Sequence, residues 1–488
     1  MELITNNKGG QKLCYKGYMY NKQRESDTAC YWRCSEAYGG CKGRIKSTLN
    51  MQSLDLLSDH NHDPDQKNVE VTKARSQMKR LASTTDEKPS KIICRVTGAM
   101  PEDAQGFLPH ADTCKRTIRN QRSRKFPPEP HDAADLVIEG EWALTLAGND
   151  HTPQEFLLFD NRDATNRIIC FCSPAQLTTL AVADKWFIDG NFAMSPKNFL
   201  QVYFIRVPVG DVNVVTAIAL FRRKNFETYR EFFEKLVRKC ENTFGHIPCP
   251  RICMIDFELA ASNALQSVFG QGISVKGCFY HLTQSTWRKV QQLGLVNQYK
   301  EQEEFRHFCG MLDGLAFLPV QDLSEGMAYI RSVAPSEAQD LVEYFDATYV
   351  SGPLRIVQAP DGQCHQRRTT PVFEHQLWNV HEVTLYGDPR TNNICEAWNN
   401  KLSHLIGHAH PSVWRLIKGF QYEEQSVRVA LAQTAIGNNP KKKVSRKTQE
   451  YQRRLQQLCK DYQERRKNLQ QFLGAVGHCI RIRSTTAD

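Results

Sequence analysis

Two cysteines and two histidines occur as close pairs early in the 488-residue chain, Cys34-x6-Cys41 and His60-x-His62. Zinc takes four such ligands at the corners of a tetrahedron, usually as two pairs that folding brings together. The first pair encloses a segment that ends in two glycines and can turn back. The second pair, spaced i, i+2, lies on one face of an extended segment. Because a module of this size has a small core, bound metal would supply folding energy, and we predict a zinc site here.

Short aromatic and apolar runs surround the four predicted ligands. Turn residues separate the runs, which is typical of a small β-rich module. The predicted strands span residues 13–15, 18–20, 30–34 and 43–48. Cys14 and Cys30 are near enough in sequence to serve as ligands, but we assign both to the core.

The order of aromatic, cysteine and histidine residues over residues 3–62 resembles the FLYWCH-type zinc finger. The matching segments are residues 17–20, 31–34, 40–45 and 60–62. The leading phenylalanine of the family pattern is absent, and Leu3 or Ile4 stands near its place. The resemblance implies DNA binding or protein contact. Lys42, Arg44 and Lys46 alternate along one predicted strand and are candidate phosphate contacts.

Charge is distributed unevenly along the chain. Residues 66–130 carry a net charge of +7 and residues 441–488 carry +9, whereas residues 131–440 carry −7. Basic flanks suit a polyanionic partner, because lysine and arginine release counterions from phosphates. Solvated, partly disordered arms are the alternative interpretation. The lysine run 441–443 is compatible either with nuclear import or with such an arm.

Three helical patterns follow the predicted finger, over residues 69–82, 89–96 and 110–124. The third pattern has a basic face, on which Arg116 and Arg119 are candidate DNA contacts. This connector, residues 66–130, resembles a helix-turn-helix arrangement, and an ordinary linker bundle is the alternative. A proline-rich stretch at 127–130 ends it.

The cysteine content and the apolar runs of the chain indicate in which cellular compartment the protein is expected. The chain has 17 cysteines, and its first residues lack the apolar core of a secretory signal. No apolar run approaches the roughly 18 residues that span a bilayer. We expect an intracellular, reducing location, where cysteines are metal ligands or core residues rather than disulfides.

From about residue 134 strands alternate with helices, the signature of an α/β domain. Predicted strands span residues 155–159, 167–172, 186–189, 200–207, 212–221, 251–256 and 273–278. Predicted helices span residues 174–183, 226–241, 259–269 and 280–293. The chain is then expected to be helical to about 345, loop-rich to 390 and helical again from 393, with a basic helix at 449–472.

Two apolar strands of this domain end in an aspartate, Asp189 and Asp256. Carboxylates at neighbouring strand ends, together with a third from a helix, can hold two divalent cations. The cations then stabilise the attacking oxygen and the leaving oxygen of a phosphoryl displacement. Mg²⁺ favours sparse carboxylate sites of this kind. A strand-end aspartate is also a common cap, so neither residue alone decides between the two roles.

The motifs around these aspartates resemble the core of Mutator-like (MULE) transposases, over residues 134–425. They occur in the family order, at residues 189–192, 256–260, 277–282, 287–290 and 392–399. The resemblance implies a ribonuclease-H-like fold with a mainly helical insertion before the last motif. It also implies DDE chemistry, with Asp189, Asp256 and Glu396 as the catalytic residues that hold Mg²⁺ or Mn²⁺.

Cys278-x2-His281 is the characteristic pair of that family. Two ligands do not make a tetrahedral zinc site, so we assign the pair a supporting role, either positioning a DNA strand or supporting the acidic residues. A buried cysteine with a satisfied histidine is the alternative. Glu258 can face the same site from further out. Other candidate ligands lack a matching set and are treated as structural or exposed: Cys364, His365, His404, His408 and His410.

These features predict a multidomain α/β chain with a small β-rich zinc finger (3–62) and a helical connector (66–130). A ribonuclease-H-like core with a helical insertion (134–425) and a basic helical tail (440–488) follow. The leading hypothesis is a DNA-binding DDE transposase whose basic tail binds DNA phosphates. The alternative is a transposase-derived DNA-binding protein or transcriptional regulator without catalysis, and a third hypothesis is a chromatin adaptor. We expect zinc and Mg²⁺ or Mn²⁺ as cofactors, DNA as partner, a nuclear location and no membrane, with homo-oligomers and protein partners left open.

Overall fold

The computed structural model describes residues 2–5, 10–85, 87–148, 151–358, 364–439 and 444–481. Contacts divide the chain into two units, Met1–Pro128 and Glu129–Asp488. Within the described ranges, no helix is both long and apolar enough to cross a membrane. The lysine run 441–443 lies outside the described residues.

The first unit begins with a six-stranded sheet in which each strand pairs antiparallel with its neighbour in sequence. Its strands are β1 (Glu2–Thr5), β2 (Gln11–Tyr15), β3 (Tyr18–Glu25), β4 (Ala29–Cys34), β5 (Arg44–Thr48) and β6 (Leu54–Ser58). Strand alternation places Tyr20, Trp32 and Ile45 in one small core. The four predicted strands are confirmed, and Cys14 and Cys30 are buried as expected of core residues.

Helices complete the first unit: α1 (Gln66–Thr84), α2 (Pro89–Thr97), α3 (Glu102–Gln105) and α4 (Ala111–Ser123). Asp65 caps α1, because its carboxylate accepts the backbone N–H of Asn68 at 2.9 Å. Met78, Ile92 and Ile118 join α1, α2 and α4 in an apolar cluster of their own. The three predicted helices are confirmed.

The second unit is built on a seven-stranded sheet. Its strands are β7 (Leu157–Asp160), β8 (Ile168–Phe171), β9 (Lys185–Asn191), β10 (Gln201–Val209), β11 (Val212–Phe221), β12 (Ile252–Ile255) and β13 (Ser274–Gly277). The spatial order is β13-β12-β9-β10-β11-β8-β7. β9, β12 and β13 run parallel, whereas the remaining pairs are antiparallel. Each strand was predicted, since most are buried along their length and therefore read as continuous apolar runs.

Helices and one hairpin follow and surround this sheet. The hairpin consists of β14 (Leu354–Gln358) and β15 (Cys364–Arg368). The helices are α5 (Pro174–Ala181), α6 (Phe226–Phe244), α7 (Leu259–Phe269), α8 (Phe279–Gln292), α9 (Val296–Glu301), α10 (Glu303–Gly314), α11 (Leu323–Ser332), α12 (Gln339–Phe345), α13 (His375–Trp378), α14 (His381–Leu385), α15 (Asn393–Ile406), α16 (Val413–Ala435), α17 (Arg446–Gln463) and α18 (Leu469–Arg481). Trp398 of α15 packs on Phe204 of β10 with ring centroids 4.1 Å apart, which holds α15 against the sheet.

The predicted single tail helix at 449–472 is wrong in one respect. The segment forms two helices, α17 and α18, with a break in which Arg465 adopts a positive φ of 58°. Leu455, Phe472 and Val476 are fully buried in the core that also contains residues of α8 to α12. The described part of the tail is therefore packed into the second unit, and its basic residues lie mostly on the outer face.

Candidate metal centres

The four predicted zinc ligands converge in the first unit. Cys34 Sγ lies 3.3 Å from His62 Nε2, Cys41 Sγ lies 3.3 Å from His60 Nδ1, and these two histidine nitrogens are 3.3 Å apart. All four donor atoms lie within 4.8 Å of one another. Metal–ligand bonds of about 2.0–2.3 Å place tetrahedral donors roughly 3.3–3.8 Å apart, so this set fits a zinc ion.

Each histidine presents one defined nitrogen, because its other ring nitrogen contacts a protein oxygen. Tyr20 Oη lies 2.7 Å from His60 Nε2, and the carbonyl oxygen of Asp63 lies 3.0 Å from His62 Nδ1. Tyr18 stacks on the His60 ring with centroids 3.7 Å apart. Such contacts fix the tautomer and the orientation of a metal ligand. The two tyrosines belong to the finger motif, but nothing in the sequence assigned them this role.

The two sulfur atoms receive backbone support. The N–H groups of Glu36 and Gly43 each donate to a ligand sulfur, on Cys34 and Cys41 respectively, at 3.4 Å. Burial raises the pKa of the Cys34 thiol to about 11. Burial acts in the same direction on Cys41, but the backbone N–H groups of Gly43 and Asn61 outweigh it and lower the pKa of that thiol. A bound cation would stabilise both sulfurs as thiolates.

The candidate DNA contacts all lie in the first unit. Lys42 and Arg44 are exposed beside the zinc ligands, and Lys46 on β5 is partly exposed. Arg116 and Arg119 are exposed on α4. These side chains are accessible to a polyanion, which is the condition that their predicted role requires.

The two predicted strand-end aspartates lie on neighbouring parallel strands. Asp189 is near the end of β9, and Asp256 follows β12, which pairs with β9 in register Met254 to Phe187. Glu396 lies in the first turn of α15. The three carboxylates line one cavity of about 210 Å³. Its other lining residues are Gly190, Cys278, Tyr280, His281, Gln284, Asn392, Asn393 and Asn399.

Asparagines connect α15 to the β9 aspartate. Asn399 Nδ2 donates to Asp189 Oδ2 at 2.9 Å, and Asn191 Nδ2 donates to Asn399 Oδ1 at 2.8 Å. Asn392 Nδ2 donates to the carbonyl oxygen of Ile188 at 2.9 Å. The motif at 392–399 contains Asn399, but nothing in the sequence distinguished this residue from its neighbours.

The carboxylates differ in their surroundings. Asp189 is buried and faces Asp256, and these two causes raise the pKa of Asp189 to about 8. Glu396 is exposed. Two carboxylates that repel each other at a buried position favour a bound cation, as does the acceptor-only chemistry of their oxygens. Residues at this cavity therefore fit Mg²⁺ or Mn²⁺.

The Cys278 and His281 pair lies beside these carboxylates. Cys278 Sγ accepts the backbone N–H of Asn392 at 3.0 Å, and His281 Nδ1 lies 2.8 Å from Asp256 Oδ1 as an ion pair. Burial lowers the pKa of His281, but the Asp256 carboxylate and the Cys278 sulfur outweigh it and raise that pKa to about 10. The pair thus contacts the acidic motifs, and its supporting role stays a prediction.

Other candidate ligands do not assemble. Among the described residues, the Cys34, Cys41, His60 and His62 set is the one group of three or more such donors within 4.8 Å. Cys364, His404, His408 and His410 are exposed, as expected, and the side chain of His365 lies outside the described residues. In the described part of the chain, the three cavity carboxylates do not form a further group of this kind.

The geometry thus defines a zinc-binding finger and an α/β domain with an acidic cavity. Residues 3–62 match the FLYWCH zinc finger domain, and residues 185–285 match the MULE transposase domain. The second match includes Asp189, Asp256 and the Cys278 and His281 pair, and it ends before Glu396. A search of the curated proteins found no match to the chain. The two matched domains indicate a DNA-binding, transposase-related protein.

Proposed function

We propose that this protein is a DNA transposase that cuts and joins DNA strands, acting in the nucleus. The observation that carries the proposal is the meeting of Asp189, Asp256 and Glu396 at one cavity, from a strand, a strand end and a helix far apart in sequence. Their oxygens are suited to divalent cations, and the MULE match covers the first two.

The sheet topology supports a ribonuclease-H-like core. Three antiparallel strands, β9 to β11, are extended by β12 and β13, which run parallel to β9. The aspartates sit on the first strand and after the first parallel strand, and α15 brings Glu396 to the same end. This placement is the one that the family resemblance implies.

In the proposed reaction a water oxygen attacks a DNA phosphorus, the P–O3′ bond breaks, and the 3′ hydroxyl leaves. That hydroxyl then attacks a phosphorus of the target strand in the same manner. Mg²⁺ or Mn²⁺ held by the three carboxylates would supply charge stabilisation for the attacking and leaving oxygens. Asn399 keeps Asp189 oriented through its hydrogen bond, and His281 lies against Asp256 on the cavity wall.

The first unit would supply DNA affinity. Lys42, Arg44 and Lys46 of the finger and Arg116 and Arg119 of α4 are accessible cations. Contacts of this kind act on phosphates, so binding should weaken steeply as salt rises. Zinc in the finger would hold β5, which carries Arg44 and Lys46, and the segment just before it, which carries Lys42.

A second candidate function is DNA binding or transcriptional regulation without catalysis. The observation that favours it is the exposure of Glu396, which also lies beyond the end of the MULE match. In this alternative the acidic cavity is a remnant, and only the finger and connector act.

Nicking of supercoiled plasmid in Mn²⁺ distinguishes the two functions. The transposase should nick, and Asp189→Ala and Asp256→Ala should each abolish nicking while DNA binding is retained. Glu227→Gln, an exposed change on α6, is the matched control and should nick like the wild type. Tight binding without nicking by any version, on DNA carrying the element ends, would establish the non-catalytic function.

A further inference from the structure

One face of helix α8 leads from the acidic cavity to exposed surface. Tyr280 and Gln284 line the cavity, and exposed Arg288 follows one turn later, with its Nη2 3.5 Å from Gln284 Oε1. The three residues are spaced i, i+4, i+8, so their side chains lie on the same side of the helix. Because a helix rises about 1.5 Å per residue, this face presents polar groups over about 12 Å. The proposed reaction uses none of the three.

The opposite face fixes α8 in the second unit. Thr286 Oγ1 donates to Asp313 Oδ1 at 2.7 Å, and buried Arg481 donates to the carbonyl oxygen of Thr283 at 2.9 Å. The buried residues of the helix are Phe279, Leu282, Thr286 and Val290. The exposed face is therefore held in place before a ligand arrives, which lowers the cost of binding.

The charge of α8 differs from that of its surroundings. None of its 14 residues is a carboxylate, although residues 131–440 carry a net charge of −7. Solvated helix faces commonly combine both charges at i, i+4, as Arg230 and Glu234 do on α6. Arg288, in contrast, forms no ion pair with any carboxylate that the structure describes. This face is therefore complementary to an anionic partner.

Tyr280 adds an aromatic ring at the rim of the cavity. The residue is 37% exposed, and its ring meets the His281 ring edge-on with centroids 5.6 Å apart. His281 in turn pairs with Asp256 on the cavity wall. An accessible aromatic ring beside bound phosphate is a platform on which a nucleobase can stack. The face thus offers groups for a base and for a phosphate backbone together.

We propose that the exposed face of α8 binds the DNA strand that enters the acidic cavity. Tyr280 stacks on a base beside the phosphate that is cut, while Gln284 and Arg288 bind the backbone of the following nucleotides. The inference rests on the function proposed above, because it takes the acidic cavity as the place of cutting. It adds a strand-binding surface in the second unit to the cations of the first.

The first test is Mn²⁺-dependent nicking of supercoiled plasmid by the zinc-saturated full chain, measured over a range of plasmid concentrations. Tyr280→Ala should lower kcat/KM by about fivefold or more, and Tyr280→Phe should recover most of the loss because it keeps the ring. Arg288→Ala should lower kcat/KM by about threefold or more, and Arg288→Lys should recover part of it. Tyr386→Ala and Arg238→Ala, at exposed positions elsewhere in the second unit, should nick like the wild type.

Mn²⁺ affinity separates strand binding from damage to the cavity. Tyr280 contacts His281, so a purely structural role of the tyrosine would weaken Mn²⁺ binding as well as nicking. We expect Tyr280→Ala and Arg288→Ala to keep the Mn²⁺ affinity within about twofold of the wild type, because phosphate and base contacts do not hold the cation. Melting curves establish that each variant is folded. A parallel loss of Mn²⁺ affinity and nicking would overturn the strand-binding role.

The second test does not depend on cutting. Benzoylphenylalanine, a photoreactive residue, replaces Gln284 in the full chain, which is irradiated with labelled duplex DNA that has a short unpaired end. The same replacement of Arg238 on α6 is the control. We expect cross-linking to DNA from position 284 and none from position 238.

The two tests fail in different ways. If the wild type nicks, but the alanine variants keep kcat/KM within twofold and position 284 forms no cross-link, the α8 surface is overturned and the proposed function stands. If the wild type does not nick, the proposed function fails. A cross-link from position 284 would then still support α8 as a DNA-binding surface, and its absence would overturn that surface too.

Discussion

The two histidine ligands of the finger use different ring nitrogens, and single neighbouring residues decide which. His60 directs Nδ1 to the metal because Tyr20 occupies Nε2, and His62 directs Nε2 because a backbone carbonyl occupies Nδ1. At the scale of residues, the ligand spacing predicted the ion, while the orientation of each ligand depends on contacts between distant positions. Those contacts cannot be read from spacing.

Gly43→Ala should weaken zinc binding by about 10- to 100-fold, a loss typical of disturbed ligand support. The new Cβ would lie 2.6 Å from the His60 ring, so the ring must move. Competition with a chromophoric chelator measures the affinity. Gly39→Ala is the control, since a Cβ there meets nothing within 4 Å. Equal affinities of the two variants would contradict the prediction.

Asn399→Ala should reduce Mn²⁺-dependent nicking by roughly 10- to 100-fold, because Asp189 loses the donor that holds its Oδ2. Mn²⁺ affinity should fall in parallel. Asn400→Ala changes the exposed neighbour on the same helix and should have no effect on either quantity. Normal Mn²⁺ affinity in Asn399→Ala would show that the hydrogen bond does not support the metal site.

At the scale of elements, burial determined what could be predicted. The strands of the seven-stranded sheet and helices α6 to α8 are confirmed within a few residues, because their apolar patterns are strong. β1 and β6 were missed, as was the hairpin of β14 and β15. β6 and the described part of the hairpin are mostly exposed, so neither has the long buried apolar run by which the strands of the larger sheet were predicted.

The strand ends of the acidic site were predictable for the same reason, since each aspartate follows an apolar run. The position of Glu396 came from a motif resemblance, because a polar residue on a half-exposed helix carries no pattern of its own. The burial of α17 and α18 was not predicted, since the many charges of α17 conceal a narrow apolar stripe and only the first residues of α18 fell within the predicted basic helix.

Gly477→Ala should destabilise the second unit by about 1–3 kcal/mol through overpacking. In the crossing of α10 and α18, a Cβ at Gly477 would lie 2.9 Å from the Met311 side chain, and one at Gly310 would lie 2.5 Å from the Gly477 carbonyl oxygen. Denaturant unfolding measures the change. Gly474→Ala on the same helix meets nothing within 4 Å and should be neutral or slightly stabilising. A stable Gly477→Ala variant would show that this crossing is not tight.

The arginines of α4 are expected to have two different roles, since some should affect DNA binding and another should affect the stability of the first unit. Replacing Arg116 and Arg119 by alanine should weaken DNA binding and lower the slope of log affinity against log salt by about 2, with unfolding unchanged. Arg122→Ala should instead destabilise the first unit by about 1–3 kcal/mol, because Arg122 donates to the carbonyl oxygens of Thr85 and Glu87 at 2.9 and 2.6 Å. An unchanged salt slope in the double variant would exclude α4 as a phosphate contact.

At the scale of the whole molecule, the chain combines two units with different sources of stability. The sheet of the first unit has a core of few residues beside its metal donors, whereas the second unit has an extensive apolar core of its own. Net charge follows a related division, because the basic connector belongs to the first unit and residues 131–440 are acidic. DNA affinity and cutting are therefore expected to be separable properties.

Zinc removal provides the corresponding test. A strong chelator should unfold β1 to β6, because the sheet loses the ion that joins Cys34 and Cys41 to His60 and His62. Helices α1, α2 and α4 share a separate apolar cluster, and the second unit contains none of the four ligands, so both should stay folded. Limited proteolysis of the full chain should then cleave within residues 1–65 first, and added zinc should reverse the change. If those residues stay protected from proteolysis in chelator, or if the second unit unfolds at the same time, zinc is not the local source of the finger's stability.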